Sequence, residues 1–289
     1  MWPDNETDLD LLGFEYLVDE LIVALSEPAL LPLTVGVLGE WGSGKSSLIN
    51  IVQAELDSSV EPKFLTVGFS PWQYEDYDDV KLSLMQSVLD ACSSVTNDPA
   101  RINALRRFVR VVGAFGRKAT QVGLRAAPAA AAGVASALDP SVFDPASAQL
   151  IGKVVGSTAE AIADDLDKSE ETVEQAVTSL AGFRAKFKEM VDELPVQAVV
   201  IFIDDLDRCL PTTVVDTFEA IRLFLNSPKT AFVIAAHRQI AESAIDAAFP
   251  DYGRLGGASL GHDYLEKMLQ LQITVPKLSV EDASAYISL

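Results

Sequence analysis

The chain of 289 residues carries a net charge of −20, and its hydrophobic fraction of 49% is large enough to build a sizeable core. This excess of acidic side chains disfavours extensive binding of nucleic acid, which needs clustered Lys and Arg, but it leaves room for one local basic patch. Two cysteines and two histidines supply neither a disulfide framework nor a zinc-ligand spacing. The acidic N-terminus lacks the features of a secretory signal, so we expect a cytoplasmic protein.

The first hundred residues alternate between amphipathic helices and short apolar strands. Residues 9–25 place apolar side chains at helical spacing, and a β-branched strand follows at 34–39. The same criteria predict a helix at 45–56, a strand at 63–70 and a helix at 80–92. Strands that are apolar along their whole length are typical of a parallel sheet with helices on both faces.

The alternation resumes in the last third of the chain. Strands are predicted at 199–204 and 230–237, and each is followed by a helix, at 213–225 and 239–249. A last short strand is predicted at 271–276. The two halves together predict one α/β fold built on a single parallel sheet.

The intervening residues 99–194 break this rhythm, and we predict that they form a largely helical insertion. A long amphipathic helix is expected at 165–194. The core would then comprise residues 1–98 and 195–289. The final residues read as a helix that no Gly or Pro closes, so we expect the natural chain to continue beyond Leu289.

The start of the insertion is strongly basic. From Pro99 to Leu138 there is no acidic residue, and the alanine-rich run from Ala126 to Leu138 follows. This basic face could contact anionic lipid, nucleic acid or an acidic partner, or could simply be a solvated surface. Its seven cationic residues are Arg101, Arg106, Arg107, Arg110, Arg117, Lys118 and Arg125.

Residues 39–46 read GEWGSGKS and fit the phosphate-binding pattern GxxxxGK[ST]. Glycines let backbone N–H groups approach phosphate oxygens, and the following helix presents its positive end. Lys45 would contact the β- and γ-phosphates, and Ser46 would bind Mg²⁺. A chance match is the alternative, but the strand before and the helix after favour a real site. The residues predicted to surround the nucleotide are Gly39, Glu40, Trp41, Gly42, Ser43, Gly44, Lys45, Ser46 and Ser47.

A second motif, VVIFIDDLDR, occupies residues 199–208 and carries two aspartates to the end of a strand. Ligands of open α/β sheets bind at this edge. Asp204 would hold Mg²⁺, directly or through water, and Asp205 would orient or deprotonate the attacking water. The alternative is an acidic strand end that caps the next helix. NSPK (226–229) lacks the Asp of a guanine-reading motif, so ATP is the expected nucleotide.

Five segments occur in an order that resembles the KAP family of P-loop NTPases: GEWGSGKSSLIN, SPWQYED, IFIDDLDRCLP, FVIAAHRQIAESAI and YLEKMLQLQITVP. The resemblance covers about residues 4–70 and 195–289. It implies an ASCE-type ATPase core, related to the STAND and AAA+ groups, with the sheet order 5-1-4-3-2. An ATPase of this kind uses ATP with Mg²⁺ as cofactor. Bacterial relatives are linked to defence against phage, so the resemblance also implies a protein partner or homo-oligomer.

The resemblance directs attention to two further residues. His237 lies at a strand end where family members commonly have Asp, and it would contact the γ-phosphate or the water, or cap the next helix. Arg208 would read the γ-phosphate, act across a subunit interface, or pair with Asp205 or Asp207. Lys267 is a weaker candidate for the site, and its alternative is an exposed lysine on a helix surface. Trp72 would pack near the site or fill the core. The segment Leu12–Phe14 would form a wall of the adenine pocket or pack in the core.

Family members often carry transmembrane helices between the two nucleotide motifs. The apolar run Ala126–Leu138 has only about 13 residues, whereas a span needs about 20, so we expect a soluble variant with no transmembrane span. Three functions remain open: an ATPase that drives conformational change in a larger complex, a switch that binds ATP but hardly hydrolyses it, and a protein that docks on a membrane or nucleic acid through its basic insertion.

Overall fold

The computed structural model describes residues 13–60, 63–75, 79–96, several positions between 98 and 109, 180–225, 227–249 and 259–276. The chain divides into two compact units, one formed by residues 1–103 with 184–289 and the other by residues 104–183. Nearly all of the second unit lies outside the described residues, and so do most of the basic segment and the predicted helix at the end of the chain. The predicted division at 99–194 stays a prediction.

Five parallel strands form the sheet of the first unit, and all five were predicted. Their order is β2-β3-β4-β1-β5, which is the order 5-1-4-3-2 read from the opposite edge. The prediction of a parallel α/β core of this topology is therefore confirmed. The strands are β1 (Leu33–Leu38), β2 (Phe64–Phe69), β3 (Ala198–Ile203), β4 (Thr230–Ala236) and β5 (Leu271–Thr274).

Except for the helix Leu260–Met268, which periodicity did not predict, the helices with the bounds given below lie where the apolar periodicity places them. Two of the predicted helices are described only in part. The helix predicted at 9–25 is described from Glu15 onward, and the helix predicted at 165–194 is described over the fourteen residues Leu180–Glu193. Within the described part of the chain, three short 3₁₀ turns connect elements at Pro28–Leu30, Pro71–Tyr74 and Leu206–Arg208. The helices are α1 (Glu15–Ser26), α2 (Lys45–Ser58), α3 (Val80–Val95), α4 (Leu180–Glu193), α5 (Pro211–Phe224), α6 (Arg238–Ala248) and α7 (Leu260–Met268).

Helices cover both faces of the sheet. Alternate residues of each strand point to opposite faces, so both faces present apolar side chains to these helices. On one face, Val35 and Val37 of β1 and Val200 of β3 belong to the apolar cluster formed with α1 and α2. The other face of the sheet contacts a layer that includes α5, through the rings of Phe224 and Phe232, whose centroids lie 6.2 Å apart. These helices pack on the faces of the sheet, whereas the loops that follow its strands lie at its edge.

An ion-pair cluster ties α3 to α5 at the protein surface. Lys81 of α3 contacts the carboxylates of Asp216, at 2.8 Å, and Glu219. Burial acts to lower the pKa of Lys81, but the hydrogen bonds to the two carboxylates outweigh it, so the pKa is raised. Lys81 therefore stays charged and holds the two helices together.

Helices α6 and α7 pack so closely that only glycine fits at one position. A Cβ added to Gly261 of α7 would lie 2.1 Å from the backbone carbonyl oxygen of Glu242 in α6. Because that atom belongs to the helix backbone, it cannot turn away as a side chain would. The contact fixes α6, and with it the end of β4 from which α6 begins.

We expect Gly261→Ala to lower the free energy of unfolding by about 1–3 kcal/mol, even though alanine is the better helix former by about 1 kcal/mol. Thermal and urea denaturation would measure the change. Gly68→Ala is the matched control, because a Cβ at Gly68 comes no closer than 3.8 Å to another atom. Equal stability of Gly261→Ala and the wild-type protein would contradict the close packing.

Candidate functional site

Parallel pairing places the loops that follow β1, β3 and β4 at one edge of the sheet. The backbone ladder continues into these loops, since Gly39 N–H donates to Ala236 O at 3.3 Å and Asp204 N–H donates to Phe69 O at 3.1 Å. Strand β4 lies between β1 and β3, so the two sequence motifs begin roughly 10 Å apart, which is two strand spacings. Side chains can cross that distance.

The glycine-rich loop folds into a tight turn that leads directly into α2. Gly42 and Gly44 have φ angles of 73° and 88°, in the left-handed region that residues with a Cβ rarely adopt. Gly44 is the N-cap of α2, and its carbonyl accepts a hydrogen bond from Leu48 N–H at 2.9 Å. No side chain caps this helix. Its first N–H groups, from Lys45 to Ser47, are thus the kind of donors that bind phosphate.

Lys45 is almost fully buried beneath this loop. Its ammonium group donates to the carbonyl oxygens of Gly39, at 3.2 Å, and Glu40, at 2.9 Å. The side chain is only 8% exposed, and its Nζ atom lies 3.9 Å from Oδ2 of Asp207 in the second motif. Lys45 therefore already joins the two motifs.

Ser43 provides the test of whether an anion fits the loop. Its residue is 5% exposed, and its hydroxyl oxygen is buried without a hydrogen-bond partner. A buried hydroxyl without a partner is costly, and an incoming phosphate oxygen would satisfy it. Together with the uncapped start of α2 and Lys45, this donor set fits a phosphate chain.

The two aspartates of the second motif have different surroundings. Asp204 is half-buried, and its Oδ1 accepts a hydrogen bond from Asp205 N–H at 2.8 Å. Asp205 has a φ of 59°, and both its carboxylate oxygens are engaged. Oδ2 accepts from the hydroxyl of Ser70 at 3.0 Å, and Oδ1 lies 3.0 Å from Nε of Arg208. Two side-chain contacts thus hold the carboxylate of Asp205 in place.

Arg208 takes one of the arrangements that its sequence position suggested, the ion pair with Asp205. Its side chain is 57% exposed, and its guanidinium group lies over the ring of Trp72, 5.9 Å from the centroid. Trp72 is itself half exposed and thus does not fill the core. A role for Arg208 on phosphate would require the guanidinium group to leave Asp205.

His237 follows β4, between the two motifs. It occupies the N-cap position of α6, but its side chain makes no capping hydrogen bond, and its Nδ1 atom is buried without a partner. It lines an open cavity of about 730 Å³ above the end of β4. The other lining residues are Glu40, Trp41, Cys209, Pro211, Gln239, Ile240, Ser243 and Ala244.

The other residues that the sequence suggested for the site differ in burial and location. Ser46 and Ser47 are half-buried in the first turn of α2, and Glu40 is exposed on the loop. Lys267 is exposed in the last turn of α7, and Phe14 is buried in the apolar cluster of α1 and α2, whereas Leu12 lies outside the described residues.

Two residues of the site were not singled out from the sequence. Ser70, which binds Asp205, directly follows β2, and Asp207 binds Lys45 and Trp41. The signal for Ser70 is its place at the end of a predicted strand beside β3. The signal for Asp207 is a third acidic residue in DDLD, which sequence reasoning treated only as a partner for Arg208.

The comparison with protein families decides the identity of the fold. The sequence profile of the KAP family P-loop domain matches residues 14–289. The chain belongs to the KAP family of P-loop domains. This confirms the resemblance seen in the sequence motifs, and a P-loop domain implies nucleotide binding. None of the helices within the described residues is long and apolar enough to cross a membrane.

Two relatives show how far the similarity to this KAP domain extends. The chain is 24% identical over 273 residues to the Phage T7 exclusion protein of Escherichia coli K12, which covers 93% of this chain and 33% of that protein. It is 39% identical over 65 residues to human Kinase D-interacting substrate of 220 kDa, which covers 21% of this chain and 4% of that protein. The chain thus spans about a third or less of the length of these relatives.

The two thiols of the domain are predicted to be unreactive. Burial raises the pKa of the Cys92 thiol to about 12, and the pKa of Cys209 also rises to about 12, through burial and then through the nearby carboxylates of Glu75, Asp205 and Asp207. Because the thiolate is the reactive form, at pH 8 iodoacetamide should label either thiol of the folded protein at least about a hundredfold more slowly than free cysteine.

Mass spectrometry of the labelled protein would measure both rates, and Cys92→Ala would isolate Cys209. The rate should rise with pH up to about 12, because the raised pKa shifts the appearance of thiolate to higher pH. The unfolded protein in guanidinium is the control and should react at the rate of free cysteine. Rapid labelling of Cys209 in the folded protein would contradict this.

Proposed function

We propose that this domain binds ATP with Mg²⁺ and hydrolyses it, and that the cycle drives or gates conformational change in a larger complex. The observation that carries the proposal is the contact between the two motifs. Lys45, in the loop after β1, lies 3.9 Å from Asp207, in the turn after β3. A nucleotide bound by the first motif is therefore within reach of the carboxylates of the second.

The phosphate chain would lie along the first turn of α2. The N–H groups of residues 44–47, the hydroxyl of Ser43 and the ammonium of Lys45 would bind its oxygens. Mg²⁺ usually takes one or two protein ligands together with phosphate oxygens and water. Ser46 and Asp204 would be those ligands. The ion would neutralise phosphate charge and orient the terminal phosphate.

Asp205 would orient or deprotonate the attacking water. It follows Asp204 directly, and the hydrogen bond from Ser70 and the ion pair with Arg208 hold its carboxylate in a defined position. When Arg208 turns toward phosphate, Oδ1 of Asp205 becomes available to accept a proton from water. His237, at the end of the intervening strand, would contact the terminal phosphate or that water through its unpaired Nδ1.

Two substitutions separate binding from chemistry. Lys45→Ala should weaken ATP affinity by about 10- to 100-fold, because it removes a charge-assisted contact to phosphate. Asp205→Asn should bind ATP within about threefold of the wild-type protein but lower its turnover by about 10²- to 10⁴-fold. Calorimetry and phosphate release would measure the two quantities.

Lys188→Ala, at an exposed lysine of α4, is the control for the loss of one positive charge. Equal turnover by Asp205→Asn and wild type would remove Asp205 from the role of base. Failure of the wild-type domain to bind Mg·ATP would remove the proposal altogether.

A second function is favoured by the engaged state of Asp205. Since both its oxygens already have partners, the domain could bind ATP tightly and hydrolyse it very slowly, as a switch. Multiple-turnover phosphate release on the order of 1 s⁻¹ or faster would exclude this alternative. Docking on a membrane or nucleic acid through the basic segment remains a proposal, since most of that segment lies outside the described residues.

The link to antiviral defence rests on one relative, whose name states that it excludes phage T7. We infer that this domain supplies the nucleotide-dependent step of a similar defence. Phage plating on cells that produce the full-length protein, compared with cells that produce Lys45→Ala, would test the inference. Equal plating on the two strains would count against a nucleotide-dependent role in defence.

A further inference from the structure

The third aspartate of DDLD, Asp207, has no role in the proposed chemistry, although its contact with Lys45 joins the two motifs. The carboxylate of Asp207 accepts a hydrogen bond from Nε1 of Trp41 at 2.6 Å, and the same Oδ2 atom lies 3.9 Å from Nζ of Lys45. Its side chain is only 9% exposed. A carboxylate thus lies buried against the ammonium group that the proposed function assigns to phosphate.

We propose that Asp207 is an internal competitor of the phosphate chain: it holds Lys45 and Trp41 in the nucleotide-free domain and is displaced when a nucleotide binds. This inference rests on the proposed binding of ATP at the loop. It adds that the domain carries its own anion at the site, so that nucleotide entry exchanges one negatively charged partner of Lys45 for another.

The donors of Lys45 explain why the exchange is needed. An ammonium group has three N–H donors, and Lys45 donates to two backbone carbonyls of the loop, with Asp207 at an ion-pair distance of 3.9 Å. A triphosphate would approach the same ammonium group from the same loop. Two anions that share a poorly hydrated space repel each other strongly. Asp207 must therefore withdraw, or affinity for phosphate stays low.

The position of Asp207 in the chain couples this withdrawal to the catalytic residues. It lies in the 3₁₀ turn Leu206–Arg208, which starts immediately after Asp205, a residue with the uncommon φ of 59°. Arg208 ends the same turn and pairs with Asp205. A movement of the turn that takes Asp207 away from Lys45 would also shift Arg208, and it would free a carboxylate oxygen of Asp205 only after nucleotide has arrived.

Trp41 supplies an independent readout of the same event. The residue is 70% exposed, and its indole N–H donates a hydrogen bond to Asp207. When Asp207 leaves, the indole loses this hydrogen bond. The fluorescence of Trp41, obtained as the difference between wild type and Trp41→Phe, should change when ATP binds, and the nucleotide-free Asp207→Asn variant should already show part of that change.

The decisive variant is Asp207→Asn, which removes the charge but keeps the shape. We expect it to bind ATP in EDTA about tenfold more tightly than the wild-type domain, a change of about 1.4 kcal/mol. The gain should be smaller with Mg²⁺, because the ion neutralises part of the phosphate charge. Calorimetry with ATP, in EDTA and in MgCl₂, would measure both affinities, and thermal denaturation would establish that the variant is folded.

Asp57→Asn is the matched control, since it removes the same charge near the other end of α2, about 18 Å along the helix from Lys45. Salt largely screens the interaction of exposed charges that lie more than about 10 Å apart, so Asp57→Asn should bind ATP with the affinity of the wild type. Trp41→Phe removes the hydrogen bond to Asp207 but keeps an aromatic ring in the nucleotide loop, and it should tighten binding severalfold. The double variant should gain no more than Asp207→Asn alone, because both changes act on one contact.

The outcomes separate the possible roles of Asp207. Tighter binding by Asp207→Asn and by Trp41→Phe supports the competitor. Unchanged or weaker binding by a folded Asp207→Asn, with wild type binding ATP normally, overturns it and would mean that Asp207 merely shapes the loop or helps to hold Mg²⁺. If the wild-type domain, Asp207→Asn and Lys45→Ala all fail to bind ATP, the proposed function itself fails, and this inference with it.

Discussion

The parallel alignment of β1, β4 and β3 is the constraint on which the rest of the site depends. Parallel strands end at the same edge, so the loop after β1, the turn after β3 and His237 after β4 emerge side by side. The separation of roughly two strand spacings between β1 and β3 is short enough for Lys45 and Asp207 to meet. If β4 ran antiparallel to its two neighbours, its end and His237 would lie at the opposite edge.

Local charge at this edge differs from the charge of the molecule as a whole. The chain carries a net charge of −20, so its overall field repels a nucleotide. Short-range donors must therefore supply the attraction: the first N–H groups of α2, the hydroxyl of Ser43 and the ammonium of Lys45. These groups act at hydrogen-bond distance, where a preorganised loop outweighs a distant and screened surface charge. Complexation of the nucleotide with Mg²⁺ would reduce the repulsion further.

Packing beneath the edge explains how the site keeps its geometry. Both faces of the sheet are covered, and the close contact of Gly261 with Glu242 fixes α6, which begins directly after His237. Asp205 holds a φ of 59°, which a residue with a Cβ seldom adopts. Such conformations persist because the surrounding structure over-determines them. The movable parts are then the exposed ones, chiefly Trp41 and Arg208, which are the groups that would respond to a nucleotide.

The sequence by itself determined the strands, most of the helices, the sheet order through the family resemblance, and the two motifs, because apolar periodicity and glycine spacing are local properties of the chain. It did not determine which side chains of the motifs meet. The bonds of Asp207 with Trp41 and of Asp205 with Ser70 join residues 166 and 135 positions apart. Such contacts depend on strand order, register and the path of a turn, and only the tertiary structure decides these.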